Sequence, residues 1–158
     1  MSERTRWALL AYRLSREPST PRSTLWRKLR RIGAVQIGDG LAALPDDART
    51  REQLEWLAQF VVEAGGEAST WTARLTSAQQ DREIIDRMRA AIELEYYALV
   101  DEALAAWALA PVARHRVLGR LRRELRRIRA RDYFPTTARD EAARAVDELA
   151  ARAEEAVR

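Results

Sequence analysis

The spacing of apolar residues changes character near residue 77. Before that position, short apolar runs of strand length alternate with segments of helical period. After it, apolar residues recur only at steps of three or four. The first half therefore predicts a mixture of strands and helices, and the second half predicts helices alone.

The chain opens with an almost unbroken apolar run over residues 7–14, which predicts a central strand covered on both faces. A basic helix is expected next. Ser19 or Thr20 can cap it, Pro21 suits its first turn, and Gly33 can end it. Its apolar positions recur at helical spacing and are Leu25, Trp26, Leu29 and Ile32.

Two short apolar runs, 34–37 and 41–44, flank Gly38-Asp39-Gly40 and predict a β-hairpin, because Asp-Gly supplies the positive φ angles of a tight turn. Residues 50–53 have the form of a capping box that opens a second helix at Thr50. Alternation around Trp71 then predicts a half-buried strand. The five tryptophans, spread along the chain, are expected to be core anchors.

The predicted order is strand, helix, strand, strand, helix, strand, which favours an α+β, ferredoxin-like βαββαβ domain over residues 1–77. A winged helix would need a further helix early in the chain. A helical extension over 78–158 is expected to pack on this domain. It consists of a long helix from a cap at Ser77, a second helix after Pro111, and a third after Thr137.

Positive charge is concentrated in two blocks. Residues 1–45 carry nine basic and three acidic side chains, and residues 111–134 carry nine arginines and two acidic residues. The second block predicts a helix with arginines along one side at three- or four-residue steps, namely Arg116, Arg120, Arg123, Arg127 and Arg131. Arg122, Arg126 and Arg129 widen this band.

Such a band can contact several phosphates of a nucleic acid. It can equally be a solvated face that pairs with acidic residues of the preceding helix, and the composition leaves both readings open. The acidic residues available for such pairing are Asp86, Glu93, Glu95, Asp101 and Glu102. The first helix supplies a second set of candidate nucleic-acid contacts, Arg22, Arg27, Lys28, Arg30 and Arg31.

The start of the first helix is also a candidate oxyanion site, formed by Ser19, Thr20 and Arg22. An ordinary capped helix with a basic outer face explains the same residues. Tyr12 and Arg13, at the end of the first strand, add an aromatic ring and a cation that suit stacking on a base, although Tyr12 is equally explained as a residue at the edge of the core.

Signals of catalysis are poor. His115 is the only histidine, and no cysteine is present. The acidic residues have no metal-ligand spacing, and no phosphate loop, dinucleotide fingerprint or nucleophile elbow occurs. We therefore expect no enzyme activity, cofactor or metal. With no apolar run long enough to span a membrane and no signal peptide, the chain is expected to be cytoplasmic.

Several segments together resemble the ChrB family of chromate-resistance regulatory proteins. They comprise residues 7–12, 16–19, 22, 26–29, 33–36, 38–40 and 44–45, and, further on, 127–134. The resemblance implies transcriptional control of chromate efflux, with DNA contacted through this N-terminal portion. The C-terminal domain where chromate sensing would be expected is not within these 158 residues, so direct sensing is not implied.

The opening also resembles the middle domain of phenylacetate-pathway repressors, which is similar to a small CRISPR-associated ferredoxin-like nuclease. Those nucleases resemble one another in an aspartate at the end of the first strand. Here that stretch reads Tyr12-Arg13-Leu14-Ser15, so cleavage is not expected.

Taken together, the sequence predicts a DNA-binding regulatory module, expected to be a homodimer. The alternatives are a protein-interaction module that docks an acidic partner, and an oxyanion-binding domain.

Overall fold

The structure, a computed structural model, describes residues 3–156. Residues 1–2 and 157–158, at the outer ends of the two predicted domains, lie outside that range. The chain divides into two compact units, which we call unit 1, ending at Asp86, and unit 2, beginning at Arg87. Each unit has its own buried apolar residues.

Unit 1 contains a four-stranded antiparallel sheet and two helices. The strands are β1 (Trp7–Arg13), β2 (Val35–Gly38), β3 (Leu41–Pro45) and β4 (Glu67–Ala73), in the spatial order β2-β3-β1-β4. Helix α1 (Thr20–Arg31) lies between β1 and β2 in the chain, and α2 (Ala48–Glu63) between β3 and β4. The apolar opening run is confirmed as a central strand, because β1 pairs with both β3 and β4.

The core of unit 1 follows the apolar periods of its elements. Leu10 of β1 and its β3 partner Ala42 are fully buried. Helix α2 packs against β1 and β4, and α1 packs against α2. The apolar residues that the helices bury are spaced by three or four positions, which places them on one face of each helix: Leu25 and Leu29 on α1, and Leu54, Leu57 and Val61 on α2.

The predicted N-cap of α2, Thr50, is wrong by three residues. The helix begins at Ala48, and its N-cap is Asp47. The Asp47 carboxylate accepts a hydrogen bond from the Thr50 N–H (2.7 Å), and the Thr50 hydroxyl accepts one from the Asp47 N–H (2.9 Å). Thr50 is therefore the third residue of the helix and is fully buried. Aspartate is preferred over threonine at the N-cap, so Asp47 takes that position and Thr50 supplies the reciprocal hydrogen bond.

The tryptophans divide into two groups, and the expectation that all five anchor the core is wrong. Trp7 is buried, and Trp107 packs partly buried in unit 2. The other three are mostly exposed: Trp26 by 54%, Trp56 by 69% and Trp71 by 61%. Trp71 lies on β4, an edge strand of the sheet. The alternation of apolar and polar residues along this strand therefore does not correspond to alternating burial.

The hairpin between β2 and β3 is confirmed, and its turn depends on Gly40. Within Gly38-Asp39-Gly40, only Gly40 has a positive φ, 73°. Its carbonyl oxygen accepts a hydrogen bond from the Tyr12 N–H (2.8 Å). A Cβ at position 40 would collide with the Tyr12 carbonyl oxygen. The turn and the end of β1 are therefore in close backbone contact.

We expect Gly40→Ala to lower the free energy of unfolding by at least about 1 kcal/mol, because both the φ angle and the Tyr12 contact oppose a side chain. Urea titration followed by circular dichroism measures the change. Gly38→Ala is the matched control: a Cβ there meets no atom within 4 Å, and the φ of Gly38 is not positive. Equal stability of the two variants would contradict the role given to Gly40.

Three long helices follow the sheet. Helix α3 (Ala78–Ala105) begins at the predicted cap, where the Ser77 hydroxyl accepts a hydrogen bond from the Gln80 N–H (3.2 Å). A 3-10 turn (Ala106–Ala108), α4 (Pro111–Ala130) and α5 (Thr137–Glu155) complete the chain. Pro111 is the first residue of α4, as the prediction of a helix at this proline indicated. Within the range described, no helix is long and apolar enough to cross a membrane.

Candidate nucleic-acid interface

Helix α4 buries one stripe and exposes the opposite one. The buried stripe consists of Leu118, Leu121, Leu125 and Ile128, and α4 packs on α5. At 100° per residue, Arg116, Arg123 and Arg127 lie on the side opposite this stripe. The predicted one-sided arrangement of α4 arginines is therefore present, and the question is which guanidiniums are already paired.

Arg131 is committed to a partner in unit 2. Its two terminal nitrogens each donate to one carboxylate oxygen of Glu95, both at 2.6 Å. The Arg131 side chain is only 16% exposed, and a carboxylate oxygen of Glu124 lies 4.0 Å from one of its terminal nitrogens. A bidentate, partly buried pair holds both groups in one geometry. We therefore assign Arg131 to the joining of α3 and α4 and remove it from the phosphate-binding set.

A second contact adjoins this pair. The hydroxyl of Tyr96, next to Glu95 on α3, donates to the carboxylate of Asp132, next to Arg131 (2.8 Å). Tyr96 is fully buried, and burial together with this hydrogen bond to a carboxylate raises the pKa of its phenol. The hydroxyl therefore stays protonated near neutral pH and remains a donor. Two consecutive residues of α3 thus bind two consecutive residues at the end of α4.

Two further arginines have exposed partners. Arg120 pairs with Glu102, and the two side chains are 52% and 47% exposed. Arg127 lies 3.6 Å from Glu124, one turn away on the same helix. Exposed pairs of this kind contribute at most about 1 kcal/mol. A phosphate can therefore compete for Arg120 and Arg127, in contrast to Arg131.

Five arginines of α4 have no carboxylate partner. Within residues 3–156 they make no ion pair or hydrogen bond, and all are exposed: Arg116, Arg122, Arg123, Arg126 and Arg129. Arg129 is close enough to the buried Tyr96 to act on it electrostatically. We call the other four residues the α4 arginine face. Arg114 differs, because it donates to the carbonyl oxygens of Trp107 (3.0 Å) and Leu109 (2.9 Å). Free guanidiniums on one helix are a surface that suits a polyanion.

Helix α1 carries the second basic surface, in unit 1. We define it by five exposed residues, Arg22, Arg27, Lys28, Arg30 and Arg31. Aromatic rings hold two of them: the Lys28 amine lies 5.3 Å from the centroid of Phe60, and the Arg30 guanidinium 4.8 Å from that of Trp26. Neither contact neutralises charge, so the α1 basic surface keeps its positive potential.

A pocket of about 440 Å³ lies beside α1, between that helix and the end of β1. It is lined by two aromatic side chains, two guanidiniums and one hydroxyl, from Tyr12, Arg22, Ser23, Trp26 and Arg27. The sequence pointed to Tyr12, Arg22 and Arg27 separately, and the structure brings them together. It did not point to Ser23 or to an exposed Trp26. The four-residue steps from Arg22 to Trp26 to Arg30 place all three on one side of α1, and that spacing was the available signal.

The predicted oxyanion residues are only partly brought together. Ser19 is the N-cap of α1, but its side chain makes no capping hydrogen bond. Ser19 and Thr20 are exposed and do not line the pocket, whereas Arg22 does. Arg22 and Ser23 are thus the polar groups of this helix start that face a common space.

The remaining candidate chemistry is sparse. His115 is exposed on α4 and lines a shallow surface pocket with Pro111, Val112 and Arg116. In the part of the chain that the structure describes, no three acidic or histidine side chains gather closely enough to hold a metal ion. Guanidiniums and exposed aromatic rings are therefore the main functional groups among the described residues.

Comparison with known proteins gives a match to a protein family. The family model described as "Protein ChrB, N-terminal" matches residues 22–108, which is more than half of the chain. The match includes the α1 basic surface and the whole of α3. No curated protein and no solved structure matches the chain.

Proposed function

Because the chain belongs to the family of the ChrB N-terminal domain, which links it to chromate resistance, we propose that it is a DNA-binding regulatory module. In this proposal the chain acts by binding phosphates and not by catalysis. The α4 arginine face and the α1 basic surface each contact the DNA backbone, with Arg120 and Arg127 able to join once phosphate displaces their exposed carboxylates.

The observation that carries the proposal is the state of Arg116, Arg122, Arg123 and Arg126. These four charges share one exposed helical surface and have no carboxylate partner within the described residues. Side chains that neutralise phosphates release condensed counterions, which drives association with DNA. Acidic residues are present on α3, because Glu95 of that helix pairs with Arg131 at the end of α4. The four arginines are therefore unpaired although the preceding helix carries carboxylates.

The proposed arrangement of unit 1 is ferredoxin-like. The strand order β2-β3-β1-β4, with a helix in each crossover, supports this assignment. In it, all five residues of the α1 basic surface are exposed, whereas Leu25 and Leu29 of the same helix are buried. Phosphate contacts from α1 and α4 position a protein on DNA without reading sequence, so base readout remains outside the proposal.

The first test compares two double variants that each remove two positive charges. We expect Arg123→Gln with Arg126→Gln to weaken binding to a duplex of the neighbouring promoter by about tenfold or more, measured by electrophoretic mobility shift. The control, Arg82→Gln with Arg144→Gln, changes the net charge equally at exposed positions outside both proposed surfaces. We expect the control to bind nearly as well as the unaltered chain.

Equal weakening by the two variants would mean that only net charge matters, and it would remove α4 from the interface. Absence of duplex binding by the unaltered chain at moderate salt would contradict the proposed function. In that case, an acidic protein that bound the unaltered chain but not the α4 double variant would favour the protein-interaction alternative over the DNA-binding proposal. Sedimentation of the same samples reports whether the predicted homodimer forms.

A further inference from the structure

From the pocket beside α1 we infer a binding site for an unpaired nucleotide, that is, for a nucleobase that carries its own phosphate. The site concerns unit 1 alone and goes beyond phosphate contacts to duplex DNA. It does not depend on the α4 arginine face, so the two proposals can fail separately.

The side chains that line the pocket define the class of ligand. Two are aromatic, two are guanidiniums and one is a hydroxyl, and no carboxylate is among them. A cation is therefore disfavoured, and an entirely apolar ligand would desolvate both guanidiniums without pairing them. An inorganic oxyanion would leave both rings unused. An aromatic ring with an attached phosphate engages all three kinds of group.

Trp26 is the stacking surface in this inference. It is 54% exposed, although an indole is among the side chains that gain most from burial. The Arg30 guanidinium, 4.8 Å from the ring centroid, restrains the indole without covering it completely. A base that stacks on the ring buries apolar area of both partners, which contributes about 1–3 kcal/mol per base in single-strand-binding proteins.

Tyr12 is held in place on the strand side of the pocket. Its hydroxyl accepts a hydrogen bond from the Gln36 side-chain amide (2.9 Å), and its backbone N–H donates to Gly40. The Tyr12 side chain is therefore held at its hydroxyl, and the Tyr12 backbone is held at Gly40, before any ligand binds. Fixed aromatic groups lose little entropy on binding, so they add affinity.

The two guanidiniums supply the phosphate contact. Arg22 is exposed and makes no hydrogen bond or ion pair within the range described, and Arg27 has only a 3.4 Å contact to the Thr24 hydroxyl. Arginine presents a planar fork of donors that matches phosphate oxygens. A pocket of about 440 Å³ is within the usual range for small-molecule sites, roughly 300–1,000 Å³.

The experiment measures fluorescence anisotropy of a labelled oligothymidylate, with an oligomer of the same length built from abasic sites as the comparison. We expect Trp26→Leu to weaken oligothymidylate binding about tenfold and to leave binding of the abasic oligomer unchanged, because only the base stacks on Trp26. Trp56→Leu is the matched control: Trp56 is 69% exposed and does not line the pocket. Arg22→Gln is expected to weaken binding of both oligomers.

Thymidine monophosphate and inorganic phosphate, added as competitors, distinguish a free nucleotide from a strand. Displacement by thymidine monophosphate at low concentration indicates a site for the free nucleotide, and displacement only by oligomers indicates a strand. Equal affinity for oligothymidylate and the abasic oligomer would overturn the inference, as would unchanged binding by both Trp26→Leu and Arg22→Gln. A blunt duplex should bind Trp26→Leu normally, so loss of duplex binding in the α4 variant is a separate result.

Discussion

The affinity of this chain for duplex DNA is expected to fall roughly a thousand-fold when salt rises from about 50 to about 200 mM. The α4 arginine face supplies four free charges, and the α1 basic surface adds Arg27 and Arg31, which at 100° per residue lie opposite the buried Leu25 and Leu29. If each neutralises one phosphate, about six contacts give a slope near −5 in a plot of log affinity against log salt concentration. Anisotropy titrations at several salt concentrations measure this slope.

The two double variants test whether the α4 arginines determine this salt dependence. Replacing Arg123 and Arg126 by glutamine should make it shallower by about 2, because each lost phosphate contact removes about one released counterion. The Arg82→Gln, Arg144→Gln control should keep the original slope. An affinity that changed less than about tenfold over the same range would mean that few phosphates are neutralised. The electrostatic basis of the proposed function would then be wrong.

The largest loss of stability is expected from Glu95→Gln. This change leaves the Arg131 guanidinium, which is 16% exposed, without its bidentate carboxylate. Removing one partner of a fully buried ion pair costs about 3–5 kcal/mol. Glu95 itself is 38% exposed and Glu124 remains 4.0 Å from Arg131, so we expect about 2 kcal/mol in the free energy of unfolding. Urea titration measures it.

Glu102→Gln provides the matched control on the same helix. It removes the same kind of carboxylate from Arg120, but both side chains of that pair are about half exposed. We expect the free energy of unfolding to change by less than about 0.5 kcal/mol. If the two substitutions were equally mild, Arg131 would be available to a ligand, and its removal from the phosphate-binding set would be wrong.

The secondary structure was largely predictable from residue periods. The strand at β1, the hairpin between β2 and β3, and the helices from Ser77 onward occur where the apolar spacing indicated. These features depend on neighbours in sequence, because turns, caps and amphipathic faces involve residues within about four positions of one another. The α2 cap failed for a related reason: Asp47 and Thr50 both suit a cap, and the local pattern alone did not rank them.

The exposure of Trp26, Trp56 and Trp71 was not predictable in the same way. Their types favour burial, and Trp26 directly follows a core leucine. Whether a residue beside the buried stripe is covered depends on which other element packs there, and that is a property of the assembled unit. For Trp71 the decisive fact is that β4 is at the edge of the sheet.

By itself, the sequence determined the order of elements, the helical phase of the α4 arginines and the membership of a family, since each is set by residue type and spacing along one chain. Only the tertiary structure decided which of those arginines are neutralised. Arg123 and Arg131 belong to the same pattern, yet Arg131 pairs with Glu95, 36 residues away, and Arg123 meets no carboxylate in the described range. The tertiary structure also decided that Tyr12 and Trp26 line the same pocket. Charge pairing and pocket formation depend on distances across the fold, which local spacing does not encode.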